Sequence, residues 1–203
     1  MLGLPSSTEL NRRIAKDKLY ANAGVTPVVR ELIKDQIEAV IWRNKLGADT
    51  MAVTTGEVVS ELQVFEVQLR QQSLDKRVLT TVAKAIPYKI VFVLTYEDMA
   101  QAWLDVEGVF YHTDWQAVDQ LILTFEGTGL DTMYDRLARQ IAGGRLGEQG
   151  SIVEAVEQDQ RRQDLEREIS TLEKKLAREK QLNKQVEINQ QLKALKKEKG
   201  VNI

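Results

Sequence analysis

Residues 61–69 read Glu61-Leu62-Gln63-Val64-Phe65-Glu66-Val67-Gln68-Leu69. Phe65, Val67 and Leu69 share one side of an extended chain, while Val64, Glu66 and Gln68 share the other, so this stretch is a strand with a polar pair facing away from Phe65. Upstream, Thr26-Pro27 places an N-cap before a proline at the first helical position, and Val29, Leu32, Ile33 and Ile37 follow at helical spacing. That helix gives way to a strand at Ala39–Trp42 and a short extended piece at Met51–Val53. Downstream, Leu74, Val78, Leu79, Val82 and Ile86 form one apolar helical face ended by Pro87, and Tyr88–Leu94 reads as a buried strand. A helix followed by a buried strand implies a crossover. The order over residues 27–94 is therefore helix, three strands, helix, strand.

The flanks extend this mixed α/β pattern. Ser6 and Glu9 have capping-box spacing ahead of Leu10 and Ile14, which predicts a further helix near the start. Ala102–Val106 and Val109–Thr113 flank Glu107-Gly108 as a hairpin, Leu121–Phe125 reads as a strand, and Leu130, Met133, Tyr134, Leu137 and Ile141 mark a helix. The next stretch, Gly143–Gly150, puts four glycines into eight residues. We divide the chain into a mixed α/β globular domain at 1–142, a Gly-rich linker at 143–152 and a coiled-coil helix at 153–200. All three Trp, five Tyr and four Phe precede residue 143, so only the first part has the material for an aromatic core.

In the tail, Leu165, Ile169, Leu172 and Leu176 step by four, three and four, and Ile188, Leu192 and Leu195 continue in a shifted phase. Lys180, Asn183 and Lys184 interrupt the seam without a Gly or Pro, which favours one long helix with a register change over a hairpin. A narrow apolar stripe needs a covering surface, supplied by a second copy or by a partner protein. Lys174–Lys199 holds nine basic residues against three Glu, so Lys174, Lys175, Arg178, Lys193, Lys196 and Lys197 are candidate phosphate contacts. Such alternating charge equally serves as the solvated exterior of a coiled coil.

Composition bounds the rest. The 203 residues carry 28 Lys and Arg against 30 Asp and Glu, a net charge of −2, which excludes a generally basic nucleic-acid coat. The absence of cysteine removes disulfides, thiolate metal sites and cysteine nucleophiles. The densest apolar run, Ile90–Leu94, is too short to cross a bilayer, and a cytoplasmic location with no membrane contact is expected.

Two patterns bear on chemistry. Asp49, Glu66 and Gln68 resemble the metal site of PD-(D/E)xK nucleases, in which carboxylates at adjacent strand ends hold a Mg²⁺ that activates water, here with Asp49 and Glu66 as ligands and Glu31 as accessory acid. The proline usual before the first Asp is Ala48 here, and Glu-x-Gln is equally what a half-exposed strand produces. His112 is the sole histidine, which excludes sites needing two imidazoles, and a histidine beside Trp115 reads best as a packed group. Gly127-Thr128-Gly129 lacks the lysine of a phosphate-cradling loop.

Longer stretches resemble a bacterial family catalogued as domain-of-unknown-function family 4391. They are LGLP at 2–5, IAKDKLYANAGVT at 14–26, IWRNKLGADT at 41–50, ELQVFEVQLR at 61–70, AIPYKIVFVL at 85–94 and REKQLNKQVEINQQLKALKKE at 178–198. The resemblance implies a genomic setting beside helicases and DNA methyltransferases of restriction and phage-defence type. The expected function is a non-catalytic interaction or assembly subunit, without a cofactor, docking on such a partner and associating through its coiled coil. The alternative is a Mg²⁺-dependent nuclease on a restriction-nuclease-like core.

Overall fold

The computed structural model describes residues 2–22 and 24–201. The chain divides into two compact units, Met1–Arg145 and Leu146–Ile203. In the first, a seven-stranded sheet is built from β1 (Glu9–Ile14), β2 (Ile37–Leu46), β3 (Leu62–Leu69), β4 (Lys89–Tyr96), β5 (Met99–Val106), β6 (Val109–His112) and β7 (Gln116–Ala117). The strands lie in the order β1-β2-β3-β4-β5-β6, with β7 also pairing β5. All neighbours are antiparallel except β3 and β4. A parallel pair needs a crossover, and α3 (Lys76–Ala85) provides it.

The polarity of β3 dictates the layers. Its Phe65, Val67 and Leu69 pack with Ile90, Phe92 and Leu94 of β4 under α1 (Lys16–Asn22), α2 (Pro27–Gln36) and α3, through Leu19, Val29, Ile33, Val78, Leu79 and Val82. On the other face, α4 (Leu130–Ala142) lies against β5 and β6 and buries Leu130, Met133, Leu137 and Ile141. The Tyr134 hydroxyl donates to the Asp105 carbonyl at 2.8 Å. Burial, reinforced by Glu107, Asp105 and Asp135, pushes that phenol far above its ordinary range, so it stays a protonated donor.

A row of rings crosses the first face in register: Trp42 on β2, Phe65 on β3, Phe92 on β4, Trp103 on β5 and His112 on β6. Trp42 meets Phe65 edge-on at 6.0 Å, and His112 stacks on Trp103 at 4.4 Å. Each indole needs an acceptor, and each finds a glutamine on its own face of the sheet. Trp42 donates to Gln63 Oε1 at 2.7 Å and Trp103 to Gln101 Oε1 at 2.8 Å. Both glutamines are buried.

Four expectations are corrected. The capping-box spacing at Ser6 and Glu9 yields a short 3-10 turn at Ser6–Thr8 and then strand β1, not a helix. Leu10 and Ile14 are four apart, a spacing that strands and helices share, and pairing with β2 decides between them. Met51–Val53 is a bend, not a strand, so only β2 and β3 lie between α2 and α3, and the third antiparallel strand is β1, from before the helix. Leu121–Phe125 keeps the alternation of a strand, with Leu121 and Leu123 buried and Ile122 exposed, but joins no ladder. Gln140 of α4 takes its backbone instead, accepting from Thr124 N and donating to the Ile122 carbonyl.

The fourth correction is in the second unit, where the single long helix is two: α5 (Ile152–Arg178) and α6 (Leu182–Val201). Ser151 and Glu154 form a capping box at the start of α5. At its end, Glu179 Oε1 accepts from the N–H groups of Lys180 and Gln181, and the Glu179 carbonyl accepts from Gln185 Nε2. This side-chain turn reverses the chain without glycine or proline. The helices run antiparallel, with ion pairs Arg161–Glu198, Glu166–Lys199 and Glu173–Lys196 at 2.6–2.8 Å. Among the described residues, no helix is long and apolar enough to cross a membrane.

One tie holds a long loop to the first unit. Asp131, in the first turn of α4, accepts from the backbone N–H groups of Glu57, Val58 and Val59 at 2.7–3.4 Å. Asp131→Ala strands these donors, and urea unfolding is expected to register a loss of about 1–3 kcal/mol with an unchanged denaturant slope. Asp75 caps α3, and its hydrogen bonds from the Arg77 side chain and N–H lower its pKa from 3.8 to about 2. The folded value lies below the unfolded one, so this cap contributes fully above pH 4 and is lost as pH falls through about 2. NMR titration of the Asp75 carboxyl is expected to give a midpoint near that value.

Candidate functional site

Strand β3 is buried on both faces, yet it carries Gln63, Glu66 and Gln68. A carboxylate inside a sheet must be paired, because burying an unpaired charge is prohibitive. The pairing comes from a bulge in β2 between Trp42 and Asn44, which turns Arg43 toward Glu66. Arg43 Nε and Nη2 each reach Glu66 Oε2 at 2.6 Å, and Gln68 Nε2 donates to Glu66 Oε1 at 2.8 Å. Both oxygens of the carboxylate are therefore engaged.

The network continues outward to the first strand. Arg43 Nη1 donates to Asn11 Oδ1 at 3.0 Å, and Asn11 holds a left-handed φ of 48° within the bulge of β1. The buried Asn44 donates to Thr8 Oγ1 at 2.9 Å, and the Thr8 hydroxyl donates to the Pro5 carbonyl at 2.7 Å. Glu9, Asn11, Arg43, Asn44 and Glu66 line a polar cleft of about 370 Å³, with Leu2, Gly3 and Leu4 on its rim. Its floor is a fixed arginine–carboxylate pair.

Asp49 is elsewhere. It lies beyond the Leu46–Leu62 end of the β2–β3 pair, four residues of strand from Glu66, or roughly 13 Å at the strand rise. Its partner is Lys45, at 2.9 Å, which also binds Glu61 at 3.2 Å. Glu61 in turn accepts from Gln63 Nε2, so Asp49 joins the network of the Phe65 face while Glu66 belongs to the opposite face. The lysine hydrogen bond depresses the Asp49 pKa, and the carboxylates raise that of Lys45. Glu66 and Gln68 are thus brought together and Asp49 is not. Glu31 is on the exposed side of α2, 3.7 Å from Lys34. Among the described residues no group of three or more His, Asp or Glu is placed to hold a metal ion.

The remaining candidates separate similarly. His112 Nδ1 lies 3.1 Å from Gln101 Nε2 and 2.9 Å from the Thr113 carbonyl, and its ring stacks on Trp103. The seam residues Ile169, Leu172 and Leu176 of α5 pack against Ile188, Leu192 and Leu195 of α6 within the same chain, and Leu165 is also buried. Of the tail cations, Lys196 is bound to Glu173, whereas Lys174, Lys175, Arg178, Lys193 and Lys197 are exposed. Sequence reasoning missed Arg43, Asn11 and the two buried glutamines. One signal was present: an acidic residue within an apolar strand demands a cation on a neighbouring strand, and Arg43 follows Trp42 in the adjacent strand.

The model of the family described as Domain of unknown function (DUF4391) matches residues 2–198, and the chain belongs to that family. No curated protein and no solved structure matches it. The membership spans both units and every residue of the cleft.

The arrangement makes Arg43 the cation that permits a buried Glu66. Arg43→Ala is expected to destabilise the protein by about 1–3 kcal/mol, since one charged partner is left inside the sheet. Adding Glu66→Gln is expected to restore part of that loss. A double-mutant cycle with additive losses would show that the two residues do not support each other.

Proposed function

We propose that this protein is a non-catalytic assembly subunit that binds a larger protein through its C-terminal helical hairpin. The observation that carries this reading is the division of apolar groups on α6. Ile188 and Leu192 are satisfied against α5, while Leu182 and Val186 stand outside the seam, 73% and 50% exposed. Lys193 and Lys197, both exposed, continue at helical spacing from that pair. A helix face with two aliphatic side chains followed by lysines suits an apolar groove bordered by acidic residues on a partner.

The family resemblance supplies the partner's identity in this proposal: a helicase or DNA methyltransferase of a bacterial restriction-type or phage-defence system, with any nucleic-acid contact made through the complex. The apolar seam of α5 packs against α6 of the same chain, which removes the need for a second copy to cover it. Residues Glu66 and Gln68 support a structural role, because each is hydrogen-bonded inside the sheet. The Mg²⁺-dependent nuclease reading keeps these two residues but needs a further carboxylate beside them, a place Asp49 does not fill.

Co-purification with the helicase or methyltransferase encoded beside it tests the proposal. Leu182→Asp with Val186→Asp is expected to abolish complex formation while leaving a monomeric, helical protein by light scattering and circular dichroism. Leu172→Asp with Leu192→Asp is expected to melt the hairpin itself, because buried seam positions do not accept an unpaired charge. Cleavage of DNA by the purified chain with Mg²⁺, abolished by Glu66→Ala in a folded variant, would replace this proposal with the nuclease.

A further inference from the structure

At the opposite end of β3 from Asp49, two cations share one backbone oxygen and a third, Arg13, lies within electrostatic reach of them. The end of β1, the start of β2 and the end of β3 lie side by side there, with Ile14 opposite Val40 and Ile37 opposite Leu69. The Ile37 carbonyl accepts from Lys16 Nζ at 2.5 Å and from Arg70 Nε at 3.3 Å. Arg13, opposite Ile41 on exposed strand β1, projects on the same face as Glu66 and Gln68, two residues before Arg70.

We infer that Arg13, Lys16 and Arg70 form a binding site for a phosphate oxyanion, carried by a nucleic-acid backbone or by a small phosphate compound. A carbonyl has two lone pairs, and both are taken here, so two donors of the Lys16 ammonium and the outer fork of the Arg70 guanidinium are left for a ligand. Phosphate matches that demand with several acceptor oxygens and a charge that relieves the crowding of cations. Among the described residues no carboxylate forms an ion pair with any of the three, in contrast to Arg43, Lys45 and Arg77, each held by its own acid. Glu38, an exposed neighbour, acts on Lys16 only from a distance.

The state of Lys16 agrees with this geometry. Burial lowers its pKa below the usual lysine value, and the charges of Arg70 and Arg13 add to that shift while Glu38 opposes it. Arg13 and Arg70 are exposed, so a ligand reaches the site directly. The site is built from the first unit alone and stands whether or not the hairpin docks on a partner.

The test uses the full chain. Labelled single- and double-stranded DNA are titrated by fluorescence anisotropy, and inorganic pyrophosphate by calorimetry, at low and moderate salt. Arg13→Gln with Arg70→Gln is expected to weaken binding at least tenfold and to flatten the dependence of log K on log salt by about two, one for each arginine withdrawn from a phosphate. Lys76→Gln with Lys84→Gln, at exposed positions of α3, is expected to leave both unchanged. Pyrophosphate and DNA binding alike assign the site to small phosphates, and binding of DNA alone assigns it to the backbone. Either result supports the site provided that the double variant loses it. Arg13→Gln alone, at an exposed edge position, gives the same readout if the double variant does not fold. Wild-type protein that binds neither probe, or a folded variant that binds as wild type does, overturns the inference. Leu182→Asp with Val186→Asp retains phosphate binding, so failure of the docking proposal is read separately.

Discussion

Three polar side chains in the most deeply buried strand constrain the first unit more than any apolar contact does. Gln63, Glu66 and Gln68 sit in β3 between β2 and β4, where each is held by protein partners. Gln63 requires a donor and an acceptor and finds Trp42 and Glu61; Glu66 requires a cation and finds Arg43. These demands fix the register of β2 against β3. A slip of one residue would exchange the faces and leave both networks broken in the interior. The bulge at Trp42/Asn44 reconciles the two faces, keeping Trp42 in the aromatic row while aiming Arg43 the other way.

The helices follow from that register. Once Phe65, Val67 and Leu69 face one way, α1, α2 and α3 cover them, and α4 covers the opposite face toward β5 and β6. The face of β1, β2 and β3 that bears Glu66 remains the polar part of the sheet. It is where the arginine–carboxylate pair and the cations around Ile37 both reside. Polarity is therefore sorted along a single surface: paired charge at the cleft, unpaired positive charge at the strand ends.

Much of this was legible in the sequence, and the failures have physical causes. The alternation of Glu61–Leu69, the capped helix after Thr26, the crossover before Tyr88 and the Glu107-Gly108 hairpin all rest on local signals that tertiary packing reinforces. Leu10 and Ile14 misled because a spacing of four satisfies two periodicities. Leu121–Phe125 misled because alternation reports burial, whereas a strand needs a backbone partner, and Gln140 took that place. The tail misled because Glu179 builds a turn from its own carboxylate, without the glycine or proline that normally announces one. Asp49 and Glu66 share a plausible spacing along the chain, but strand direction places them at different ends and on different faces.

The two units also differ in how far along the chain their interactions reach. The hairpin closes over separations such as the 37 residues between Arg161 and Glu198, around a three-residue turn. The sheet instead waits for ties such as that between Val59 and Asp131, 72 residues apart. Local pairings form faster than distant ones, because less chain entropy is surrendered before interaction energy offsets it. The arm is thus able to assemble on its own clock, within microseconds to milliseconds, while the sheet folds more slowly. A full-length chain refolding from the denatured state then presents Leu182 and Val186 on a finished helix before the polar strand β3 has found its arginine.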